Sequence, residues 1–257
     1  MARVIAVVNQ KGGVGKTTTA INLAAELAEL GKFVLLVDID PQGNASSGIG
    51  IDHRNVSHGV YHALIGEKSF RDIITHTNVD GLKAAPATMD LAGANVELVP
   101  LERREHRLRE TLAEVRHDYD YILIDCPPSL GLLTVNGLVA AEEILIPVQT
   151  EYYALEGLGQ LVETIDLIRQ HLQPGLTVLG AVMTMYDERN KLSQAVFNEL
   201  YQYFPNKIFR TVIPRNVKLA EAPSHGKSIR HFDANSKGAK AYEKLAREVV
   251  ESETPHV

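Results

Sequence analysis

"RVIAVVNQKGGVGKTTTAINLAAELAELGKFVLLVD", residues 3–38, holds two short apolar runs separated by a glycine-rich loop and an amphipathic stretch. The runs "RVIAVVN" (3–9) and "FVLLVD" (33–38) are rich in Val, Ile and Leu at every position, as strands covered on both faces of a parallel sheet are. Between them, "TTTAINLAAELAEL" places Ile21, Ala24, Ala25, Leu27 and Leu30 at helical spacing, and Gly31 stands where a helix would stop. The order is therefore strand, glycine loop, helix, glycine, strand. Gly12, Gly13 and Gly15 allow the loop to fold tightly and turn its N–H groups inward, so that an anion can sit at the positive end of the following helix. Lys16 then reaches the β and γ phosphates of a nucleotide and the Thr17 hydroxyl can ligate Mg²⁺, with Val14 and Thr18 completing the cradle. The spacing departs from G-x-x-x-x-G-K-[ST] because residue 10 is Gln, yet the loop's place after a buried strand and before a helix predicts nucleotide binding. Such a loop needs one lysine, and Lys11 is a second.

Outward from this unit, "YILIDC" (121–126), "EILIPVQ" (143–149) and "TVLGAVMT" (177–184) read as further buried strands, and helices are expected over 154–172, 192–203 and 236–251. The middle section, 53–118, reads as shorter helices and one strand around "LKAAPA", ending in a charged helix "LERREHRLRETLAEVRH" (101–117). Strands alternating with helices predict an α/β chain: a single-domain P-loop NTPase fold, a mostly parallel twisted sheet with helices on both faces. No linker, repeat or Pro/Ser-rich break divides residues 1–257, so one domain is expected, with a short disordered tail at about 252–257. With 257 residues, 45% hydrophobic and 23% charged, the chain can bury a sizeable core. Its net charge of −6 argues against a protein that coats nucleic acid over its whole surface. One cysteine excludes an intrachain disulfide framework, and no apolar run is long enough to span a bilayer, which together imply a cytoplasmic protein.

The strand ends carry carboxylates. Asp38 and Asp40, in "VDIDPQGNAS", fall where open α/β sheets bind their ligands. Asp40 is expected to orient an attacking water or support the metal shell, while Asp38 reads as a strand end. Asp125 closes an apolar strand, as a carboxylate that contacts Mg²⁺ through water would. A lone strand-end Asp is ordinarily a turn or cap residue. Three such features in one chain, in this order, fit a phosphate-hydrolysing site. The ten histidines show no metal-ligand spacing, Cys126 reads as a small core residue, and the tyrosine pair in "EYYALEGL" reads as a helix start packed on the sheet.

"KGGVGKTT" with its early lysine, "DIDPQGN", "IDCPPSLG", "EYYALEGL" and "VIPRNVKLAEAPSHGK" together resemble the ParA family of partitioning ATPases, in particular its chromosomal branch, Soj, over residues 2–250. The resemblance implies binding of ATP or ADP with Mg²⁺, slow partner-stimulated hydrolysis to ADP and phosphate, and a homodimer that forms with ATP. It implies that Lys11 crosses the dimer interface to touch phosphate held by the other subunit, so that Lys11, Lys16 and Asp40 serve catalysis. Thr17, Asp40 and Asp125 would then serve the metal, and Pro214 and Asn216 the adenine. Taken alone, "IPRN" reads as a strand ending in a turn, with Asn216 capping a helix at "VKLAEA".

Charge is uneven along the chain: residues 187–247 hold twelve Lys/Arg and six Asp/Glu, a balance of +6 that leaves −12 for the remainder. An ordinary solvated surface would explain this, as would a localised phosphate-binding face. The resemblance favours the second, namely nonspecific double-stranded DNA, with Arg189 and Lys218 at the family's basic contact positions and Lys227 and Arg230 as further candidates. It also implies a centromere-binding ParB (Spo0J-type) partner, nucleoid association, and a link to a replication initiator. The rivals are relatives that handle iron–sulfur clusters, which need paired cysteines; a MinD-like positioning ATPase, which needs a basic amphipathic membrane helix where this chain ends "AREVVESETPHV"; and a metabolic P-loop ligase, which needs a second-substrate pocket.

Overall fold

The computed structural model describes residues 1–151, 157–187 and 189–252, apart from the side chains of residues 191, 192 and 194. Tyr152 and Tyr153 of the expected aromatic helix start lie outside the described residues, as does the tail from 253 onward.

Seven strands form one sheet: β1 (Arg3–Val7), β2 (Val34–Asp38), β3 (Thr75–His76), β4 (Leu82–Ala85), β5 (Tyr121–Asp125), β6 (Glu143–Gln149) and β7 (Thr177–Thr184). Their spatial order is β3-β4-β2-β5-β1-β6-β7, and every pairing is parallel except that of β3 with β4. Alternate residues of each strand enter different cores. Val4, Ala6, Leu35, Val37, Ile122 and Ile124 pack on one face, and Ile5, Val7, Val34, Leu36, Tyr121 and Leu123 on the other. Helices Leu132–Ala140 and Leu158–His171 cover the first face. Helices Lys16–Glu29 and Lys237–Glu251 cover the second. Burial on both sides explains why the strands read as continuous apolar runs.

Two expectations need correction. The short edge strand β3 was not expected, because two residues carry no periodicity. The charged helix over 101–117 is cut to Arg107–Leu112, followed by a 3₁₀ turn at Arg116–Asp118. Arg103 takes φ 51°, which no right-handed helix can contain, and only Leu108 and Leu112 of the helix are buried. Charge spacing supports an exposed helix face, but without a longer apolar stripe there is no packing to hold further turns. Buried Asn136 fixes the junction instead, accepting from the Leu108 amide at 3.0 Å and donating to the Arg104 carbonyl at 2.8 Å.

Register positions the site. Asp125 is opposite both Val7 of β1 and Asp38 of β2, so the strand-end carboxylates and the glycine loop meet at the C-terminal edge of the central strands.

Candidate nucleotide site

The loop between β1 and the first helix is held from below by Asn9, a buried residue the sequence reading passed over. Its amide donates to the Pro147 carbonyl at 2.8 Å, and its Oδ1 accepts the Lys11 amide at 3.0 Å. Gly13 and Gly15 take φ of 76° and 87°, the left-handed region that a side chain would strain. Val14 is buried, and its carbonyl accepts from the Thr184 hydroxyl at 2.7 Å, which ties the loop to the end of β7. The helix Lys16–Glu29 starts with no side-chain cap and no acidic residue in its first turn. Its first N–H groups are thus left for an anion.

Lys16 is only 7% exposed, and its ammonium donates to the Lys11 carbonyl at 3.0 Å. Burial lowers its pKa, while Asp125 and Asp40 act against that shift. Asp40 is buried and accepts the Gln42 amide at 3.0 Å. Asp38, expected to be a simple strand end, anchors the next loop: it accepts from the Ser46 amide at 2.8 Å, the Ser46 hydroxyl at 2.7 Å and the Asp40 amide at 3.1 Å. Burial nevertheless pushes its carboxyl up to about 6.

Asp125 is fully buried, and among the described residues neither carboxylate oxygen has a hydrogen-bond partner at normal distance. Burial first, and then Asp38, holds this carboxyl well above the ordinary range, although the nearby Thr17 hydroxyl and Lys16 pull the other way. A buried carboxylate left without partners beside a threonine hydroxyl fits a hard cation completed by other oxygens. Among the described residues no group of three or more His, Cys, Asp or Glu is placed to hold a metal ion. Phosphate and water oxygens would have to supply the remaining ligands.

Next to the loop, Gly15, Thr18, Ile213, Pro214, Asn216 and Tyr242 line a largely apolar cleft of about 320 Å³. Pro214 bridges to Tyr186 beside β7. Asn216 caps helix Val217–Glu221, as expected, with Oδ1 accepting the Lys218 amide at 2.8 Å. The Lys11 backbone belongs to the loop, but its side chain is 30% exposed and its ammonium stands 3.9 Å from Glu151, at the rim. Glu151 also lies 3.6 Å from the Arg215 guanidinium.

The basic candidates are less free than sequence suggested. Arg189, a DNA-contact position that the resemblance implies, is 90% exposed but forms a two-point pair with Asp187 at 3.0 and 2.9 Å, which holds that carboxyl down at about 2. Lys218 pairs with Glu221 at 2.8 Å and stands 5.5 Å above the Phe232 ring. Lys227 is exposed. Arg230 is turned inward, 3.9 Å from Glu26 and 3.5 Å from Glu243.

A family model described as an AAA domain matches residues 2–178. The sporulation initiation inhibitor protein Soj of Bacillus subtilis (strain 168) is 55% identical over 249 residues, which cover 97% of this chain and 98% of that protein. The chromosome-partitioning ATPase Soj of Thermus thermophilus is 54% identical over 248 residues, covering 96% of this chain and 95% of its own. A solved structure of cobyrinic acid a,c-diamide synthase from Mycobacterium smegmatis, with bound ATP analog and magnesium, is similar at TM-score 0.86 and 38% identity, over 98% of this chain and 95% of that one.

Proposed function

Because the chain belongs to the ParA and Soj family of chromosome-partitioning ATPases, we propose that it is an ATP-dependent dimerising switch that binds nonspecific DNA and lets go on hydrolysis. One observation carries the reading: the two lysines of the loop are divided between two places. Lys16 is buried beside Asp40 and Asp125, while the Lys11 side chain is 30% exposed, with Glu151, 3.9 Å away, as its salt-bridge neighbour among the described residues. A partly exposed cation of this kind is accessible to a second molecule that closes over the loop, whereas the buried Lys16 is not.

In this reading the uncapped helix start and Lys16 bind the β and γ phosphates, and the cleft at Pro214 and Asn216 takes the base. Thr17 and Asp125 would hold Mg²⁺, which supplies charge neutralisation on the phosphates. Asp40 orients the attacking water, and Lys11 reaches the partner subunit's phosphate, where a polyphosphate offsets the cost of burying a cation. A ParB-type partner sets the timing of hydrolysis. The likeness to a diamide synthase supports a second reading, a P-loop ligase on the same nucleotide site. A MinD-like membrane role is disfavoured because the C-terminal helix spends its apolar face, Tyr242, Leu245 and Val249, on the core.

Binding to duplex DNA should be measured with no nucleotide, ADP, ATP and a slowly hydrolysed ATP analogue. The switch requires binding only with the last two, lasting longer with the analogue; equal binding in all four states, or none in any, would reject it. Lys11→Ala is expected to keep ATP affinity, since its contact lies across the interface, but to stay monomeric in light scattering at concentrations where the parent chain dimerises with ATP. A normal ATP dimer would remove Lys11 from the interface.

Arg189→Ala is expected to leave folding and ATP binding intact and to weaken DNA binding, because Arg189 must only trade the exposed Asp187 for a phosphate. Two lost contacts per dimer should reduce the slope of log affinity against log salt by about 1.8 on duplex DNA. Two unrelated duplexes should lose affinity alike, since phosphate carries no base information. An unchanged slope would place the DNA face elsewhere.

A further inference from the structure

The helix that follows the glycine loop carries a polar stripe on its inner side. Thr19, Asn22 and Glu26 recur at spacings of three and four residues and therefore share a face, and all three are buried. Two of them are satisfied. The Thr19 hydroxyl bonds the Tyr242 hydroxyl of the C-terminal helix at 3.1 Å. Asn22 accepts the Ile229 amide at 2.7 Å and donates to the Thr18 carbonyl at 2.7 Å. Glu26 is different. Its side chain is 2% exposed, Oε1 has no hydrogen-bond partner among the described residues, and Oε2 lies 3.9 Å from the Arg230 guanidinium.

A carboxylate in this position bears a large desolvation cost that one distant counter-charge does not offset. Arg230 of helix Ile229–Asp233 faces it, as do Glu243 and Arg247 of the C-terminal helix and Glu29 of its own helix. Arg247 is bonded to Glu243 at 3.0 Å, and Glu29 lies 3.4 Å from His231. Arg230 is shared, since it also stands 3.5 Å from Glu243, and its side chain is one-third exposed. The same Nη1 thus lies between Glu26 and Glu243, nearer the second, so a change of charge on Glu26 alters the balance that holds it.

We propose that Glu26 is a proton-controlled clasp between the phosphate-binding helix and the basic segment: ionised, it draws Arg230 inward; protonated, it is a neutral filler that leaves Arg230 to Glu243 and to anions in solution. The proton is exchanged with solvent. Burial pushes the Glu26 carboxyl up to about 7, with Arg230 opposing the shift, so the clasp works near neutrality. The clasp stands on the placement of Glu26 between its own helix and Arg230, and its working range on the burial of that carboxyl. Its consequence for DNA, the withdrawal of one cation per subunit as pH rises, rests on the proposed function.

The test follows the full chain by NMR from pH 5 to 9, reading the Glu26 carboxyl carbon, identified by its loss in Glu26→Gln, together with the Arg230 Nε–H. Reading the Glu26 carbon itself assigns the proton to Glu26 rather than to a neighbouring group. Both signals should move together with a midpoint near 7, and the Arg230 signal should become independent of pH in Glu26→Gln. A Glu26 midpoint below 5.5, or an Arg230 signal that stays still while Glu26 titrates, would overturn the clasp. Arg230→Gln gives a second check, since loss of the counter-charge should raise the Glu26 midpoint by about a unit; an unmoved midpoint also overturns it. For DNA, the salt slope of the chain locked with the ATP analogue should be shallower at pH 8 than at pH 6 by about 0.9 per subunit, and constant in Glu26→Gln. Equal, pH-independent slopes would overturn the DNA consequence. Absence of DNA binding in every state would instead reject the proposed function and leave the NMR result standing.

Discussion

Lys16→Ala is expected to reduce ATP affinity by two to three orders of magnitude, roughly 3–4 kcal/mol, as loss of a buried charge-assisted contact to phosphate should. The side chain is buried, its ammonium donates to the Lys11 carbonyl, and Asp40 and Asp125 face it, so alanine removes the buried cation of the loop and puts no donor in its place. Calorimetric titration with ATP and Mg²⁺ measures this directly, and undiminished affinity would overturn the assignment of the loop. The same variant should be less heat-stable without nucleotide at pH 8, because Lys16 is the cation facing those carboxylates. The deficit should shrink as pH falls and Asp125, whose carboxyl burial holds well above the ordinary range, takes up its proton. Lys11→Ala should show neither effect, since its ammonium is on the rim.

The opposite trade is expected at Asp125. In Asp125→Asn the nucleotide-free chain should become more heat-stable while Mg²⁺-dependent ATP affinity falls. Burial raises this carboxyl in the folded state above its unfolded value, so the folded chain holds the proton more tightly. The associated stability is complete below the unfolded pKa of about 3.9 and is lost as pH rises through the raised folded value. Asparagine removes that loss, so the gain should be larger at pH 8 than at pH 5. Relief of a buried carboxylate that has Lys16 nearby but lacks well-formed hydrogen bonds is worth about 1–3 kcal/mol, or roughly 2–12 °C in a chain of this size. Calorimetric melts at the two pH values test the sign, and ATP titrations with Mg²⁺ and with EDTA test the metal. A lower melting temperature at pH 8, or a full Mg²⁺ effect on ATP affinity, would show that Asp125 has a partner other than the metal.

Both results concern groups that were legible in the sequence by type and position but not by energetic state. "KGGVGKTT" after one apolar run and before an amphipathic stretch located Lys16, and "ILID" located Asp125. That Asp125 lacks a hydrogen bond follows from the register of β5 between β1 and β2, which sets its carboxylate beneath the loop. Arg189 and Asp187 are two residues apart, and their pairing was open to a local reading. Glu26 was not. On its helix it reads as a polar residue on the face opposite Ile21 and Leu27, as solvent-facing residues do. It is buried because elements more than 200 residues later, Ile229–Asp233 and the C-terminal helix, pack over that side.

Alternating apolar runs and helical stripes determined the parallel sheet, the crossing helices and the place of the glycine loop, because backbone hydrogen bonding and side-chain periodicity are local properties. Local spacing could not determine how many turns the charged segment 101–117 would keep, that Asp38 would anchor Ser46, or that Arg230 would face Glu26. Those outcomes depend on which surfaces remain after the sheet is covered. Desolvation acts on a group according to what finally surrounds it, and only the packed tertiary structure decides that.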